Sequence, residues 1–257
     1  MQEQQYTKGQ LAVKRAYSSS DIGVLIATFA TFFLLSAGYF IISYFTSEEF
    51  VGEKVTLVSV FVGLLVVAMG AALFFGLVLV LGMVMIKIQR QIMLGNALQV
   101  EYSDYAWLRD WVNEVAADLE MPRVEVFITQ DPVINAYAFG FVRPYTIVLH
   151  SGSIRYLTKE ELKVVVLHEM GHIKYGHTNA SLYLTPFMGV PVLGGMFGWL
   201  AGFWQRRAEL TSDRLALMYL GDSELVKQAL IKVHVGPDVA KSMNDVARQW
   251  QQYVAER

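Results

Sequence analysis

The chain has 257 residues, of which 54% are hydrophobic and only 17% charged, so it is too apolar for an ordinary soluble domain and is expected to be part membrane, part soluble. The net charge of −2, without a basic stripe in the sequence, excludes nucleic-acid binding. The absence of cysteine excludes a disulfide framework, a cysteine nucleophile and thiolate metal ligands.

Two uncharged runs follow residues 1–20, a segment that we expect to lie in the cytoplasm. The first run, residues 22–45, has about the length that a helix needs to span the hydrocarbon core of a bilayer. The second run, residues 55–86, would be about 48 Å long as a helix, so it must tilt or continue past the membrane. Residues 21–90 are therefore predicted to form a transmembrane helical hairpin.

The charges that flank these two runs are asymmetric. Basic residues lie outside the pair (Lys8, Lys14, Arg15, Lys87 and Arg90), whereas the connecting loop is mainly acidic (Glu48, Glu49 and Glu53 against Lys54). The positive-inside rule then predicts that both ends of the hairpin are cytoplasmic. The alternative is a helical hairpin buried in a large soluble protein, but the rest of the chain is too small to bury two such helices.

Residues 91–257 have the composition of a soluble domain. Apolar residues recur at helical spacing from Tyr105 to Leu119, which predicts an amphipathic helix closed by Pro122. Three short strand-like runs follow, at residues 123–129, 134–142 and 145–150, with turns at Asp131-Pro132 and Arg143-Pro144. The predicted fold class is α+β, with a small antiparallel meander beside the helices.

The next helix carries the chemistry. Its start has a capping-box signature, Thr158 followed by Glu161, and its apolar sequence contains HEMGH. His168 and His172 lie four residues apart, so both imidazoles share one helix face and can bind one zinc ion, while Glu169 is placed to take a proton from water. The alternative is a helix with two solvated or internally bonded histidines, but burying these groups without a shared purpose would be costly.

A zinc site of this kind needs a third protein ligand. Glu209 and Asp213 share one helix face downstream, so we expect Glu209 to bind the metal and Asp213 to hold a ligand histidine by its second ring nitrogen. His177, about 140° around a continuous helix from His172, is expected to point elsewhere. The alternative is an exposed carboxylate pair that balances nearby arginines: Arg206, Arg207 and Arg214.

HEMGH together with RRAELTSD resembles the gluzincin membrane metallopeptidases that include the HtpX heat-shock protease and the CaaX prenyl proteases. Arg206, Glu209 and Asp213 match the second motif of that family in place, whereas three neighbours depart from it: Gln205, Leu210 and Ser212. NAYAFG at residues 135–140 is similar to the edge strand of the family, and GH at residues 176–177 also matches. The resemblance covers roughly residues 119–221 and the two N-terminal spans.

The resemblance implies a substrate strand. Asn135, Ala136 and Ala138 would bind an extended polypeptide by main-chain hydrogen bonds, with little dependence on substrate sequence. An ordinary core strand with Tyr137 and Phe139 packed explains the aromatic residues equally well.

The family often supplies a histidine that stabilises the transition state. In this chain His234 is the nearest counterpart, as a donor to the developing oxyanion, although the motif around it is displaced. A capping or buried structural histidine is the competing interpretation.

Residues 182–204 form a third uncharged run, between the two metal-binding motifs. One crossing would put Glu209 on the opposite side of the membrane from His168 and His172, and two crossings would need about 40 residues. We therefore predict a re-entrant or interfacial insertion, with breaks at Pro186, Gly189, Pro191, Gly194 and Gly195. A soluble apolar lid over the site is the alternative.

These features predict a membrane-anchored zinc metalloendopeptidase with its catalytic domain in the cytoplasm. Zn²⁺ is the expected cofactor; polypeptides, above all membrane-associated or misfolded proteins, are the expected substrates; and the lipid bilayer is the expected partner. The resemblance implies a bacterial inner membrane and a role in protein quality control. Two other functions stay open, a specialised prenyl-protein-type processing protease and a non-enzymatic membrane sensor or assembly factor that retains a metal site.

Overall fold

The computed structural model describes residues 6–46, 56–141, 143–188 and 193–243. The chain divides into two compact units. The first comprises Met1–Tyr17, Arg90–Thr178 and Ala208–Arg257, and the second comprises Ser18–Gln89 and Asn179–Arg207. The first unit therefore contains the HEMGH motif and the strands, and the second contains the apolar runs.

Two long apolar helices belong to the second unit, α2 (Ser19–Phe45) and most of α3 (Leu57–Gly95). Within α2, Ser19–Ser43 is 25 residues long with a mean hydropathy of 2.1, which is long and apolar enough to cross a membrane. In α3 the apolar stretch Val58–Phe74 is shorter. Helix α3 continues beyond residue 86, which is one of the two outcomes expected from the length of the run; the acidic loop and Val55 lie outside the described residues.

An ion pair lies inside the second unit. Arg207 Nε donates a hydrogen bond to Asp21 Oδ1 at 2.9 Å, and the same guanidinium donates to the hydroxyls of Ser18 and Ser20. Asp21 is only 7% exposed and lies in the first turn of α2, where a negative charge is favourable for the helix dipole. The pair therefore holds Arg207 at the N-terminal end of α2.

The first unit contains a mixed four-stranded sheet. Its strands are β1 (Ala97–Gln99), β2 (Val124–Thr129), β3 (Ala136–Phe139) and β4 (Tyr145–His150), in the order β1-β2-β4-β3. The prediction of an antiparallel meander was wrong, because β4 inserts between β2 and β3 and runs parallel to β2. The four residues 146–149 of β4 are buried in succession, as in a strand covered on both faces.

The helices of the first unit pack around this sheet. The predicted amphipathic helix is confirmed as α4 (Ala106–Asp118), which buries Leu108, Val112 and Val115. The N-terminal helix α1 (Lys8–Ala16) packs on α4. The two helices are so close at Gly9 that a side chain at this position would clash with the main chain of Asp118. The other helices are α5 (Ser151–Tyr156), α6 (Lys159–Lys174), α7 (His177–Met188), α8 (Leu193–Leu220) and α9 (Ser223–Val235); α7 and α8 extend into the second unit.

Helix α6 begins with the capping box that the sequence predicts. The Glu161 N–H donates to Thr158 Oγ1 at 3.3 Å, and the Thr158 N–H donates to Glu161 Oε2 at 2.8 Å. This reciprocal cap satisfies two main-chain donors that would otherwise lack a partner in the helix. It fixes the residue at which α6, the helix that carries HEMGH, begins.

The apolar run at residues 182–204 is distributed over two helices. Helix α7 ends at Met188 and α8 begins at Leu193. The sequence predicted helix breaks at Pro186, Gly194 and Gly195. In the structure Pro186 lies within α7, and Gly194 and Gly195 lie within the first turn of α8, so none of the three interrupts its helix. Gly189 and Pro191 lie outside the described residues. A re-entrant or interfacial path for this segment stays a prediction.

A partly buried ion pair connects helix α9 to the start of α6. Lys232 Nζ lies 2.6 Å and 2.8 Å from the two carboxylate oxygens of Glu161, and the side chains are 22% and 8% exposed. Burial alone would raise the pKa of Glu161, but Lys232 and the cap at Thr158 outweigh it and hold the pKa below its usual value.

We expect Lys232→Met to lower the free energy of unfolding by about 3 kcal/mol, because it leaves a buried carboxylate without its cation. Lys227→Met is the matched control on the same helix, since Lys227 pairs with exposed Glu224 at 2.9 Å and should change the stability little. Thermal unfolding of the purified protein in detergent measures both. Equal melting temperatures for the two variants would show that the pair between Lys232 and Glu161 does not stabilise the fold more than an exposed pair does.

Candidate active site

Helices α6 and α8 approach closely at the HEMGH motif. A side chain at Gly171 would meet the Cα of Ser212 at 3.0 Å and its side chain at 3.1 Å, and Ser212 is fully buried. Any larger residue at position 171 would have to push the two helices apart. This contact brings Glu209, almost one turn before Ser212 on α8, opposite the two histidines of α6.

The three predicted ligands converge on one point. His168 Nε2 lies 3.0 Å from His172 Nε2, and Glu209 Oε2 lies 3.2 Å from the first nitrogen and 3.5 Å from the second. Four ligands placed about 2.0–2.1 Å from a tetrahedral zinc ion are separated by about 3.3 Å. The donor set and its spacing therefore fit zinc, with the fourth position left for water or substrate.

A cleft of about 320 Å³ opens beside these ligands. Glu169 lies in it together with His168, His172 and Glu209. The rest of the lining comes from the start of β3, from α9 and from Val165 of α6; the residues of β3 and α9 are Asn135, Ala136, Tyr137, Leu230, Val233 and His234. A more open depression of about 530 Å³ lies around Arg109 and contains no histidine.

Of the residues predicted to bind substrate, Asn135 and Ala136 line the cleft and Ala138 does not; Ala138 packs against the hydrophobic core. The Asn135 carbonyl accepts from the His150 N–H at 3.0 Å, so Asn135 and Tyr137 direct their main-chain groups toward β4. Ala136 and Ala138 therefore direct theirs toward the outer edge of the sheet. Tyr137, which was predicted only as a packed residue, also lines the cleft.

Each ligand histidine has a partner on its second nitrogen. The His168 Nδ1–H donates to Asp213 Oδ1 at 2.8 Å, in the arrangement expected from the sequence. His172 Nδ1 lies 3.3 Å from His177 Nδ1, so the expectation that His177 points elsewhere was wrong. Helix α6 ends at Lys174, and Gly176, with a φ of 73°, turns the chain so that the His177 ring returns to His172. The glycine was the signal in the sequence that the helix does not continue.

The alternative role for the downstream carboxylates finds no support in the ion pairs. Glu209 and Asp213 pair with histidines rather than arginines. Arg207 pairs with Asp21, and Arg206 lies over the ring of Phe203 at 5.4 Å.

Residues 103–201 match the family described as "Peptidase family M48". The chain carries a peptidase M48 domain. The match includes HEMGH and ends before Glu209, and it confirms the resemblance to the HtpX-like peptidases.

Two individual proteins are similar to a longer part of the chain than the family match covers. Over 162 residues the chain is 33% identical to "Plastoglobule-localized metallopeptidase 48, chloroplastic" of Arabidopsis thaliana, and these residues cover 59% of this chain and 47% of the relative. It is 30% identical over 112 residues to "Protease HtpX homolog" of Persephonella marina, covering 42% and 37%.

A third relative is "CAAX prenyl protease 1 homolog" of Arabidopsis thaliana. The two sequences are 31% identical over 93 residues, which cover 34% of this chain and 22% of the relative. The chain thus spans less than half the length of each of these relatives. No solved structure matches it.

The carboxylates of the candidate site strongly affect its histidines. Burial, the largest influence, lowers the pKa of His168, but the hydrogen bonds to Asp213 and Glu209 outweigh it and raise the pKa to about 10. Burial raises the pKa of Glu209, but the hydrogen bonds from the two histidines outweigh it and lower the pKa. Burial raises the pKa of Glu169, which favours its role as a proton acceptor near neutral pH.

His234 lines the cleft, but its ring is already hydrogen-bonded. Its Nδ1–H donates to the Leu230 carbonyl at 2.8 Å, which leaves Nε2 as an acceptor in the neutral ring. His234 would therefore have to be protonated to donate a hydrogen bond to an oxyanion from Nε2. Its role in catalysis stays a proposal.

We expect the affinity for zinc to rise steeply with pH. A proton on His168 must leave before its Nε2 can bind the metal, and the pKa of about 10 means that this proton is present throughout the neutral range. The zinc dissociation constant should therefore fall about tenfold for each pH unit between about pH 6 and 8. Competition with a chelator, calibrated at each pH, measures the constant.

Asp213→Asn tests the cause of this dependence. The variant removes a carboxylate that raises the pKa of His168, so its zinc affinity should change less steeply at the alkaline end of this range. A wild-type zinc dissociation constant that does not vary with pH would contradict the proposal that a proton must leave His168 before zinc binds.

Proposed function

We propose that this chain is a zinc-dependent endopeptidase in which His168, His172 and Glu209 hold the metal and Glu169 is the general base. The observation that carries the proposal is the set of ligand separations, 3.0, 3.2 and 3.5 Å, which matches a tetrahedral zinc site. The similarity to peptidase family M48 supports hydrolysis of peptide bonds.

Zinc bound at this site would polarise the scissile carbonyl and lower the pKa of water toward neutrality. Glu169 lies beside both histidines in the cleft, so its carboxylate accepts a proton from the attacking water and passes it to the leaving amine. Asp213 keeps the proton of His168 on Nδ1, so that Nε2 faces the metal position.

The substrate binds as an added strand. Among the described residues, β3 has a neighbouring strand on one side only, and it packs on α6 next to the metal ligands. The main-chain groups of Ala136 and Ala138 face the outer edge, and their small side chains leave room for a second backbone. A substrate strand at this edge would extend from the cleft that contains Glu169.

Recognition of the main chain fits a broad range of polypeptides, so we propose membrane-associated or misfolded proteins as substrates and quality control as the role. The similarity to a CAAX prenyl protease 1 homolog favours a second candidate, a processing protease for prenylated proteins. Cleavage of casein against cleavage of a prenylated CaaX peptide distinguishes the two. A non-enzymatic sensor is disfavoured because it has no need for Glu169 in the cleft.

We expect Glu169→Gln to retain zinc and to lose casein cleavage by about 10²–10⁴-fold, because the amide cannot accept the proton. Glu160→Gln is the matched control, since Glu160 is an exposed residue of the same helix that pairs with Lys163. Metal analysis and initial rates are measured on both purified variants. Equal cleavage by Glu169→Gln and the wild type would exclude this mechanism.

We also propose that the protein is an integral membrane protein of the bacterial inner membrane, with its peptidase domain in the cytoplasm. The length and hydropathy of Ser19–Ser43 and the flanking basic residues support this orientation. The ion pair between Arg207 and Asp21 gives further support, because it holds the end of the apolar run at residues 182–204 near the N-terminal end of α2. That run would therefore return to the side on which it began.

Labelling of single cysteines tests this orientation, and the absence of native cysteine makes the experiment clean. Glu160→Cys precedes the apolar run and Gln205→Cys follows it, and both positions are exposed. An impermeant maleimide should label both in inside-out vesicles and neither in intact spheroplasts. Labelling from opposite sides would exclude the re-entrant path and the shared metal site.

A further inference from the structure

The second ring nitrogen of His172 faces a buried histidine that the mechanism above does not use. His177 is 4% exposed, and its ring lies at 73° to the ring of His172 with the centroids 5.2 Å apart. The Nδ1 atoms of the two rings are 3.3 Å apart. Nε2 of His172, on the other side of its ring, lies among the metal-ligand atoms.

Only one arrangement of protons is compatible with metal binding. The Nε2 atom of His172 must offer a lone pair to the metal, so the proton of the neutral ring must lie on Nδ1. That N–H points to His177 Nδ1, which must then be unprotonated and accept the hydrogen bond. If His177 donated instead, the proton of His172 would move to Nε2 and block the metal position.

The other proposed ligand, His168, also has a hydrogen-bond acceptor next to its Nδ1 atom. His168 donates from Nδ1 to Asp213 at 2.8 Å, and its Nε2 faces the metal position. Asp213 comes from α8, and His177 is the first residue of α7. The two ligand histidines would thus each be oriented by an acceptor from a different helix.

Local structure places His177 for this task. The turn at Gly176 separates α6 from α7, and the Gly176 N–H donates to the Ile173 carbonyl at 3.1 Å. Behind His177, the ring of Tyr175 lies 5.8 Å away at a shallow angle of 31°. The hydroxyl of Ser212, at the close contact of α6 and α8, is 3.5 Å from His177 Nδ1. The imidazole is therefore packed on several sides.

We propose that His177 is a positioning residue that accepts a hydrogen bond from His172 and thereby fixes the tautomer and the orientation of that metal ligand. This inference rests on the proposed zinc site. His177 would not touch the metal or the substrate, and its effect would appear first in the affinity for zinc. Second partners of this kind change metal affinity by about 10–100-fold when they are removed.

Two substitutions separate the hydrogen bond from the volume of the ring. His177→Asn keeps an acceptor, because the amide oxygen can occupy about the position of Nδ1. His177→Phe keeps an aromatic ring and removes the acceptor. We expect the phenylalanine variant to bind zinc about 10–100-fold more weakly than the wild type, and the asparagine variant to stay within a few-fold of it.

Thr178→Val is the control for local packing, since it changes the next residue isosterically and removes a buried hydroxyl that has no hydrogen-bond partner among the described residues. It should bind zinc as the wild type does. Zinc affinity is measured by competition with a chelator, and thermal unfolding of the metal-free proteins verifies that each variant is folded. Should His177→Phe fail to fold, His177→Leu replaces it with the same expected loss.

Two results would overturn the proposal: wild-type zinc affinity in the variant without an acceptor, or an equal loss in the asparagine variant. Failure of the proposed function has a different signature. In that case the wild type itself would bind no zinc, whatever residue stands at position 177.

Discussion

The candidate site of the first unit depends on the contact between α6 and α8 at Gly171 and Ser212. Three ligand atoms can surround one ion only if their helices approach until the atoms are separated by 3.0–3.5 Å. The missing side chain at Gly171 permits this approach, and the long apolar segment between the helices must return the chain to the same place. The proposed metal site would therefore constrain both the packing of α6 on α8 and the path of residues 182–204.

The charges of the site explain why these groups are found together. Three carboxylates, Glu169, Glu209 and Asp213, lie around two imidazoles. Without a cation, a proton on His168 compensates part of this charge, which is why the pKa of that histidine rises to about 10. A divalent ion bound at the proposed site would do the same more effectively and would displace the proton. The carboxylate of Glu161, in the first turn of α6, has its own cation in Lys232 and contributes no charge to the site.

The sequence predicted those features that depend on local periodicity. The helical repeat places His168 and His172 on one face of their helix and Glu209 and Asp213 on one face of another, and the capping box at Thr158 is a local signal. The pairing of β4 with β2 depends on contacts between strands distant in sequence, so the order of the sheet was mispredicted. The short elements β1 and α5 carry too few residues for a periodic signal. His177 was misplaced because the helix was extended through Gly176, where the positive φ ends it.

The edge of β3 shows how the geometry could combine broad and selective recognition. The Ala136 N–H already donates to the side chain of Asn135 at 2.9 Å, so an incoming strand must displace that bond or pair with the remaining outward groups of Ala136 and Ala138. Main-chain pairing of this kind is independent of substrate sequence. The lining of the cleft also contains Leu230 and Val233 of α9, which under the proposed function would favour an apolar substrate side chain next to the scissile bond. Selectivity would then come from the side chains that reach α9, and affinity from the strand.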